Sequence, residues 1–399
     1  MNMNKIAFNI LTVPVLAVLA VSCGGQDEIY KEWVKKGGYD YPAKAINLSS
    51  VIGYQNVIVN WEKPMDPAVR TATLFWDNYA KSIDVDYADY PDGKVSIEVG
   101  DLEDRSYTFD IVNYDDVGNK SLAAEITVSP YGDGWMVSRS ERTVTSARMD
   151  GRDAKIVMSK ATDEMVATRF RYKNLQDEWV ESETVLKPGE NEVTFKDAMK
   201  GKRFEYSSSF CPKAGKDTVW RTWTKSVDGI SYQIDGSRWN VTATNGQYFG
   251  INTPDKIFDG RYDRPAYSWH SSKSDNNKQA FPKILSVDTQ TSAGEEFAFT
   301  GFTFCENNTA ASLRYIKDYT IYVGSSYYNP DDADYLKNFG IPFIGGTLST
   351  SADQYSVNVT QGATGRYMAI VFKNSWNADD GFIDLWELIP YGYIPSLAD

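Results

Sequence analysis

The stretch Val57–Trp61 reads Val-Ile-Val-Asn-Trp. Its first, third and fifth residues are apolar and can share one buried face, which is the two-residue period of a β-strand. Pro64 follows closely and lacks the N–H that a strand ladder needs, so we expect the strand to end before it. This stretch therefore predicts β structure with one face in a core.

The same pattern of short β-rich runs between turn signals recurs to about residue 230, with almost no amphipathic helix. In residues 45–131 we expect further strands at Ala72–Trp76, Val95–Val99, Tyr107–Val112 and Glu125–Ser129. In residues 132–230 we expect strands at Ala154–Met158, Thr168–Tyr172, Glu192–Phe195, Phe204–Phe210 and Val219–Thr224. Short strands at this spacing predict one β-sandwich in each of the two segments.

The segment 45–131 resembles fibronectin type III domains. Trp61 with Pro64 resembles the early core tryptophan and following proline of that fold, and Leu102 with Tyr107 resembles its leucine and tyrosine-corner pair. The stretch Asp115–Ser121 matches its D-x-x-G-N-x-S turn. The resemblance implies structural roles for these residues. Residues 132–230 are expected to form a second fibronectin- or immunoglobulin-like sandwich, and together the two segments resemble an uncharacterised family of Bacteroidota surface lipoproteins.

Three tryptophans of the second segment leave two interpretations open. Trp179, Trp220 and Trp223 could form a ligand-binding face or could pack across strands. The cross-strand role is favoured, because aromatic pairs commonly stabilise sheets.

Residues 231–399 have longer loops rich in Asn, Ser, Thr and Gly. Five pieces occur in order: Ser237–Ala243, Lys256–Gly260, Ser268–Ser271, Gly365–Val371 and Asp384–Leu388. In that order they resemble the discoidin, or coagulation-factor C-type, jelly roll, which is shared with family 32 carbohydrate-binding modules. The expected fold class is therefore all-β: two tandem fibronectin- or immunoglobulin-like sandwiches followed by a discoidin-like jelly roll.

The resemblance implies a ligand on loops at one end of the jelly roll, and it implies that Trp269 is buried in the core. Sugar recognition needs a flat aromatic face and a few polar groups for the hydroxyls. The candidate glycan-binding residues are Trp376, Arg314, His270, Asn374, Tyr327 and Tyr328. Trp376 is favoured. His270 could instead be a satisfied loop residue, and Arg314 could instead pair with a carboxylate.

The resemblance also implies one structural Ca²⁺, a cation that prefers carboxylate and carbonyl oxygens. The ligands carried over are the side chains of Asp259 and Glu387 and the carbonyls of Lys256 and Trp386. Arg261 stands where the family has an Asn or Asp and cannot bind a cation, so Asp263 is the expected substitute. In the alternative interpretation, Asp259 only caps a tight turn beside Gly260.

The N-terminus predicts export and lipidation. An apolar run, Ile6–Val21, is too short for a membrane-spanning helix and ends at small residues before Cys23. Ala20–Cys23 resembles a lipobox, although Leu19 lies one place earlier than usual, and Gly24–Glu28 resembles an acidic surface-export tag. We expect residues 1–22 to be a lipoprotein signal peptide and residues 23–44 a tether acylated at Cys23. The alternative is an ordinary secretory signal with an incidental cysteine.

Composition excludes several classes of function. The net charge is −13 and no basic cluster occurs, so nucleic acid is not expected as a partner. With one histidine and no nucleophile elbow, zinc-protease motif or phosphate loop, we expect no enzymatic activity. Cys211 and Cys305 have no metal-site spacing, and a disulfide between them is open but not expected.

These features predict a lipid-anchored outer-membrane protein that faces the cell exterior and binds poly- or oligosaccharides. It would act as an accessory to polysaccharide capture and uptake, beside transport or glycan-degrading proteins. The alternative is a surface adhesion or scaffold protein that binds another protein and no glycan.

Overall fold

The computed structural model describes residues 41–244, 250–261, 268–271, 281–306, 315–349, 354–376 and 383–399. Over these ranges the chain is all-β and forms six antiparallel sheets. Its described helices are short, and none is long and apolar enough to cross a membrane. The chain divides into two compact units, Met1–Pro130 and Tyr131–Asp399. The fold class expected from the sequence is confirmed.

The first unit is a sandwich of a three-stranded sheet, β1-β2-β5, and a four-stranded sheet, β4-β3-β6-β7. Its strands are β1 Ile46–Ile52, β2 Val57–Glu62, β3 Thr71–Trp76, β4 Lys81–Asp86, β5 Lys94–Val99, β6 Tyr107–Tyr114 and β7 Ala124–Val128. A short 3-10 turn, Tyr87–Asp89, follows β4. The alternation predicted at the start of β2 is confirmed, because Val57, Val59 and Trp61 are buried in the core.

The residues that resemble fibronectin type III domains have structural roles. The Tyr107 hydroxyl accepts a hydrogen bond from the Glu103 amide at 3.0 Å, as a tyrosine corner does. The Asp115 carboxylate accepts the Asn119 amide at 2.8 Å and holds its turn closed. Trp61 is buried and donates its indole N–H to the Tyr87 hydroxyl at 3.0 Å. All three contacts stabilise the sandwich.

The second unit begins with a sandwich whose sheets have the orders β12-β9-β8 and β11-β10-β13-β14, with β15 also paired to β13. Its strands are β8 Val144–Asp150, β9 Asp153–Met158, β10 Met165–Lys173, β11 Trp179–Glu181, β12 Glu192–Phe195, β13 Glu205–Phe210, β14 Val219–Trp220 and β15 Thr224–Lys225. A short helix, Asp133–Val137, precedes them. Stacked rings of Tyr172 and Phe195, with centroids 4.4 Å apart, lie in its core.

A second sandwich completes this unit, and we call it the final sandwich. Its sheets are β16-β25-β20-β23, with β18 paired to β25, and β17-β19-β24-β21-β22. Its strands are β16 Tyr232–Gln233, β17 Asn240–Ala243, β18 Trp269–His270, β19 Lys283–Asp288, β20 Phe297–Glu306, β21 Asp318–Gly324, β22 Ile344–Thr347, β23 Gln354–Gly365, β24 Tyr367–Phe372 and β25 Asp384–Tyr393. The remaining short elements are the helix Tyr335–Phe339 and the 3-10 turns Pro254–Phe258 and Pro395–Leu397. Trp269 is fully buried in its core, as expected.

The two sandwiches of the second unit approach closely where the chain passes between them. A Cβ placed on Gly229 would lie 2.1 Å from the Gly201 carbonyl oxygen, so only glycine fits there. Ser231 exchanges main-chain hydrogen bonds with the edge of β8, accepting from Met149 at 2.8 Å and donating to Ala147 at 2.9 Å. This segment therefore extends the sheet edge instead of forming a loose linker.

Cys211 and Cys305 are both free thiols. Burial raises the pKa of the Cys305 thiol to about 12. No disulfide joins these two cysteines, so the hydrophobic cores stabilise the sandwiches without one.

Candidate functional site

One end of the final sandwich gathers three chain segments, residues 315–318, 347–349 and 373–376, and we call it the Trp376 end. In the sheet, Asp318 lies opposite Thr347 and Tyr319 lies opposite Phe372, so all three segments leave strands at the same end. Ile316 and Ser375 form an isolated bridge, and the Leu348 amide donates to the Lys317 carbonyl at 2.8 Å. The main chain itself therefore holds these loops together.

Trp376 is exposed yet fixed. The residue is 42% exposed, while its indole N–H donates to the Leu348 carbonyl at 3.1 Å and its amide donates to the Tyr315 carbonyl at 3.0 Å. The Lys317 ammonium lies 4.8 Å from the indole centroid, within range of a cation–π contact. The ring is thus presented at the surface in one orientation before any ligand arrives.

Asn374 braces the same loops. Its side-chain oxygen accepts the Asp318 amide at 2.9 Å, and its side-chain nitrogen donates to the Asp318 carboxylate at 2.8 Å. These bonds use one acceptor site and one donor of the amide group. Contact of Asn374 with a sugar stays a prediction.

Asp318 is a polar residue of this end that the sequence did not single out. The Thr347 hydroxyl donates to one of its carboxylate oxygens and Asn374 donates to the other. These hydrogen bonds hold the pKa of Asp318 below its usual value, so the group is an ionised acceptor at neutral pH. Only the folded loops bring these three side chains together, and no local motif marks them.

Glu306 supports the Trp376 end from beneath. Its carboxyl group is buried at the end of β20 and accepts the Ile316 amide at 2.7 Å, while its second oxygen has no hydrogen-bond partner among the described residues. Burial raises the pKa of Glu306 to about 8. The side chain therefore fixes residue 316 mainly in its protonated, neutral form.

Tyr327 and Tyr328 lie at the opposite end of the final sandwich. Strand β21 runs from Tyr319, opposite Phe372, to Gly324, opposite Tyr367, a distance of roughly 17 Å at 3.3 Å per residue. Tyr327 contacts Tyr367 with ring centroids 5.7 Å apart, and Tyr328 contacts Phe339 at 5.0 Å. This placement contradicts the expectation that Tyr327 and Tyr328 share one end of the jelly roll with Trp376.

His270 lies in the other sheet, on the short strand β18. Its side chain is 14% exposed and its Nε2 lies 3.7 Å from the Asp384 carboxylate, on the residue that pairs with it in β25. This placement favours the interpretation of a satisfied structural histidine over a ligand. Arg314 lies outside the described residues.

The proposed calcium ligands Asp259 and Glu387 face each other across a turn. The Gly260 amide donates to Glu387 at 3.2 Å, and the Asp259 carboxylate accepts the Arg261 amide at 2.9 Å. The second oxygen of Glu387 is buried without a hydrogen-bond partner among the described residues. Burial, reinforced by the negative charge of Asp259, raises the pKa of Glu387 to about 8. An oxygen in this position fits a hard cation.

Other features of this turn limit the fit. Within the described ranges no three His, Cys, Asp or Glu side chains gather into a metal cluster, so main-chain carbonyls such as those of Lys256 and Trp386 would have to complete the shell. The Lys256 ammonium lies 3.8 Å from the second oxygen of Asp259. Gly260 has a φ of +74°, which marks a tight turn, and Asp259 caps this turn by accepting the Arg261 amide. Asp263 lies outside the described residues, and calcium stays a prediction.

The three tryptophans of the preceding sandwich form a ladder with arginines. The Arg169 guanidinium lies 4.5 Å from the Trp220 ring and 4.6 Å from the Trp223 ring. Arg171 lies 4.7 Å from Trp223 and 5.5 Å from Trp179. These contacts join β10, β11 and β14, which favours the cross-strand role.

Comparison with known proteins gives a family match for the first half of the chain. Residues 23–217 match DUF4998, a domain of unknown function. No curated protein matches the chain.

Solved structures resemble the chain at low identity. A family 32 carbohydrate-binding module from C. perfringens NanJ, in complex with galactose, is 17% identical, covers 41% of this chain and 99% of its own, and has a TM-score of 0.32. A fucolectin from striped bass (Morone saxatilis) serum is 12% identical over 73% of this chain and 84% of its own, with a TM-score of 0.32. A SusE-like protein is 11% identical over 87% of this chain and 97% of its own, with a TM-score of 0.26. Likenesses this weak carry no argument about a ligand.

We predict that Glu306 makes the second unit less stable as pH rises. The folded protein binds the Glu306 proton more tightly than the unfolded chain does, so the stability supplied by protonation is fully present below pH 4.5 and is lost as pH rises to about 8. Glu306→Gln keeps a neutral acceptor for Ile316 and should gain roughly 1–3 kcal/mol over wild type at pH 8. Thermal unfolding between pH 4.5 and pH 8 measures this difference, with the exposed Glu183→Gln as control. An equal pH dependence in wild type and Glu306→Gln would contradict the assignment.

Proposed function

We propose that the protein binds extracellular glycans at the Trp376 end of its final sandwich. The observation that supports this most directly is the indole of Trp376, which is 42% exposed although two hydrogen bonds fix its position. An aromatic ring offers a flat apolar face, which suits the C–H face of a pyranose ring. Because the ring is already fixed, binding costs little conformational entropy.

Polar groups beside the indole suit sugar hydroxyls. Asp318 is held ionised, and each of its oxygens keeps acceptor capacity after accepting one hydrogen bond. Lys317 supplies a donor close to the ring, with its ammonium 4.8 Å from the indole centroid. An aromatic face with a few placed polar groups from the same loops can orient a neutral sugar.

Many weak binding sites on one cell surface can together bind a polysaccharide with high avidity. Linked binding events raise avidity without any new contact, so one modest site on each protein is sufficient. We propose that acylation of Cys23 places the protein in the outer membrane, facing the cell exterior, where it captures polysaccharide beside transport or glycan-degrading proteins. In this role the protein binds and does not catalyse.

We predict that Trp376→Ala strongly weakens glycan binding. Loss of the stacking face should weaken affinity at least about tenfold, which corresponds to 1.4 kcal/mol. The measurement is a glycan array, followed by titration of the best ligand, on the protein produced from Gln26 onward. Trp376→Phe should retain part of the affinity. Trp220→Ala is a matched control, because Trp220 is 37% exposed but belongs to the arginine ladder.

The outcomes separate the alternatives. Saturable binding that Trp220→Ala keeps and Trp376→Ala loses supports the proposal. Absence of binding to every polysaccharide, with specific capture of a protein partner, would favour the adhesion or scaffold role. Appearance of hydrolysis products during the titration would contradict a role without catalysis.

We also propose that Ca²⁺ binds between Asp259 and Glu387. Bound calcium would supply the counter-charge that the buried oxygen of Glu387 lacks and would stabilise the turn at Gly260. We predict that millimolar CaCl₂ raises the melting temperature relative to EDTA, because a ligand that binds only the folded state stabilises it. The rise should be lost in Glu387→Gln. It should be kept in Glu306→Gln, because Glu306 lies at the Trp376 end and not at this turn. An unchanged melting temperature in wild type would eliminate the calcium site.

Lipidation is tested separately from binding. We predict that cells fed a palmitate analogue label the wild-type protein and that Cys23→Ser removes the label and releases the protein from the membrane fraction. Cys211→Ser is the matched control, because it removes a thiol from the second unit and should keep the label. Persistence of the label in Cys23→Ser would show that acylation occurs elsewhere.

A further inference from the structure

A crevice lies between the two sandwiches of the second unit, away from the Trp376 end. Strand β8 and residues 227–231 form one wall, and Thr300 on β20 and Asn358 on β23 contribute to the other. The cavity volume is about 100 Å³, and the crevice is partly open to solvent. Crevices between domains are common places for ligand sites.

Arg148 of β8 lines this crevice and crosses it. Its guanidinium lies 3.6 Å from the centroid of the Tyr391 ring and donates a hydrogen bond to the Asn358 side-chain oxygen. Gly301 leaves room for the Asn358 end of this contact, because a Cβ there would lie 2.4 Å from the Val357 carbonyl oxygen and 2.6 Å from the Asn358 Oδ1. The arginine is therefore held in place by one ring and one amide.

Among the residues that the structure describes, none supplies a counter-ion for Arg148. No described carboxylate lies within 4.0 Å of its guanidinium, and its Nε is buried with no hydrogen-bond partner among the described residues. A guanidinium carries five N–H donors, and only one hydrogen bond accounts for them here. Burial lowers the pKa of Arg148, because the charged guanidinium is partly desolvated. Burying an unpaired charge is costly, so a partner is expected.

The acidic residue that lines the crevice, Asp228, lies more than 4.0 Å from the Arg148 guanidinium and forms its hydrogen bonds with other groups. Asp228 accepts the Tyr393 hydroxyl at 2.8 Å with one oxygen and the Gly362 amide at 3.1 Å with the other. Arg366 shows the contrast, because it belongs to the same unit and forms an ion pair with Asp288 at 2.6 Å. Arg148 is thus the crevice cation that remains available for an external anion.

We propose that this crevice binds a carboxylate group, which pairs with the guanidinium of Arg148. A carboxylate matches the planar fork of arginine and can accept two parallel hydrogen bonds. About 100 Å³ holds a carboxylate with a few attached atoms, well short of the roughly 300 Å³ and more of sites for whole drug-sized ligands. The carboxylate belongs either to a small organic acid or to a uronic acid residue of a glycan. The site goes beyond the proposed sugar site and does not depend on it.

The test is a titration of the full-length protein with sodium acetate, sodium galacturonate or neutral galactose at constant ionic strength. The melting temperature and the heat of binding are measured at each ligand concentration. Galacturonate and galactose differ only in the carboxylate, so the pair isolates the charge. We expect saturable stabilisation by one or both acids and at least about tenfold weaker binding in Arg148→Gln, as for the loss of one charge-assisted pair. Arg366→Gln is the matched control, because its ion pair with Asp288 lies outside the crevice, and it should leave the affinity unchanged.

The ligands also separate the two sources. Binding of acetate as well as galacturonate indicates a general carboxylate site for small acids, whereas binding of galacturonate alone indicates a uronate site. Arg148→Lys keeps the charge without the fork, so intermediate affinity supports the pairing even if Arg148→Gln folds poorly. The proposal is overturned if neither acid stabilises wild type more than chloride does, or if galactose competes for the same site with equal affinity.

Discussion

Aromatic contacts between the two sheets of the final sandwich are the constraint on which the candidate site depends. Trp269 in one sheet meets Phe372 in the other with ring centroids 5.6 Å apart, and Phe304 meets Tyr319 at 4.7 Å. Both pairs lie directly beneath the segments that carry Trp376. Large buried rings resist compression and displacement, so they fix where the strands end and where the loops begin.

The Trp376 end combines this rigid base with two carboxyl groups whose pKa values are shifted in opposite directions. Glu306 holds residue 316 but is buried without a cation among the described residues, and Asp318 holds residue 374 while staying ionised. One carboxyl group is thus kept neutral by burial and the other is kept charged by hydrogen bonds. The hydrogen bonds of the two carboxyl groups preorganise the loops, and the ionised Asp318 stays available as an acceptor.

The sequence predicted most of the fold because alternation and turn chemistry are local. Strand β2, the tyrosine corner at Tyr107 and the burial of Trp269 are all confirmed. In the first two sandwiches, strands β1, β4 and β8 were missed, because their exposed edge positions carry polar or charged residues, as in Lys81–Asp86. Strand β11 was also missed, because its three residues are too few to show an alternation. The site was less predictable. Tyr327 and Trp376 lie at opposite ends because of strand register, and the role of Asp318 arises from bonds between distant loops.

The most direct test of the account is the behaviour of the Trp376 indole N–H in protein labelled with ¹⁵N-tryptophan. Eleven indole signals are expected, and comparison with Trp376→Phe assigns the one in question. We expect this N–H to exchange slowly with water, because it donates to the Leu348 carbonyl, and we expect its signal to shift saturably when an oligosaccharide ligand is added. Rapid exchange, together with a signal that no glycan moves, would contradict a preorganised sugar-binding face.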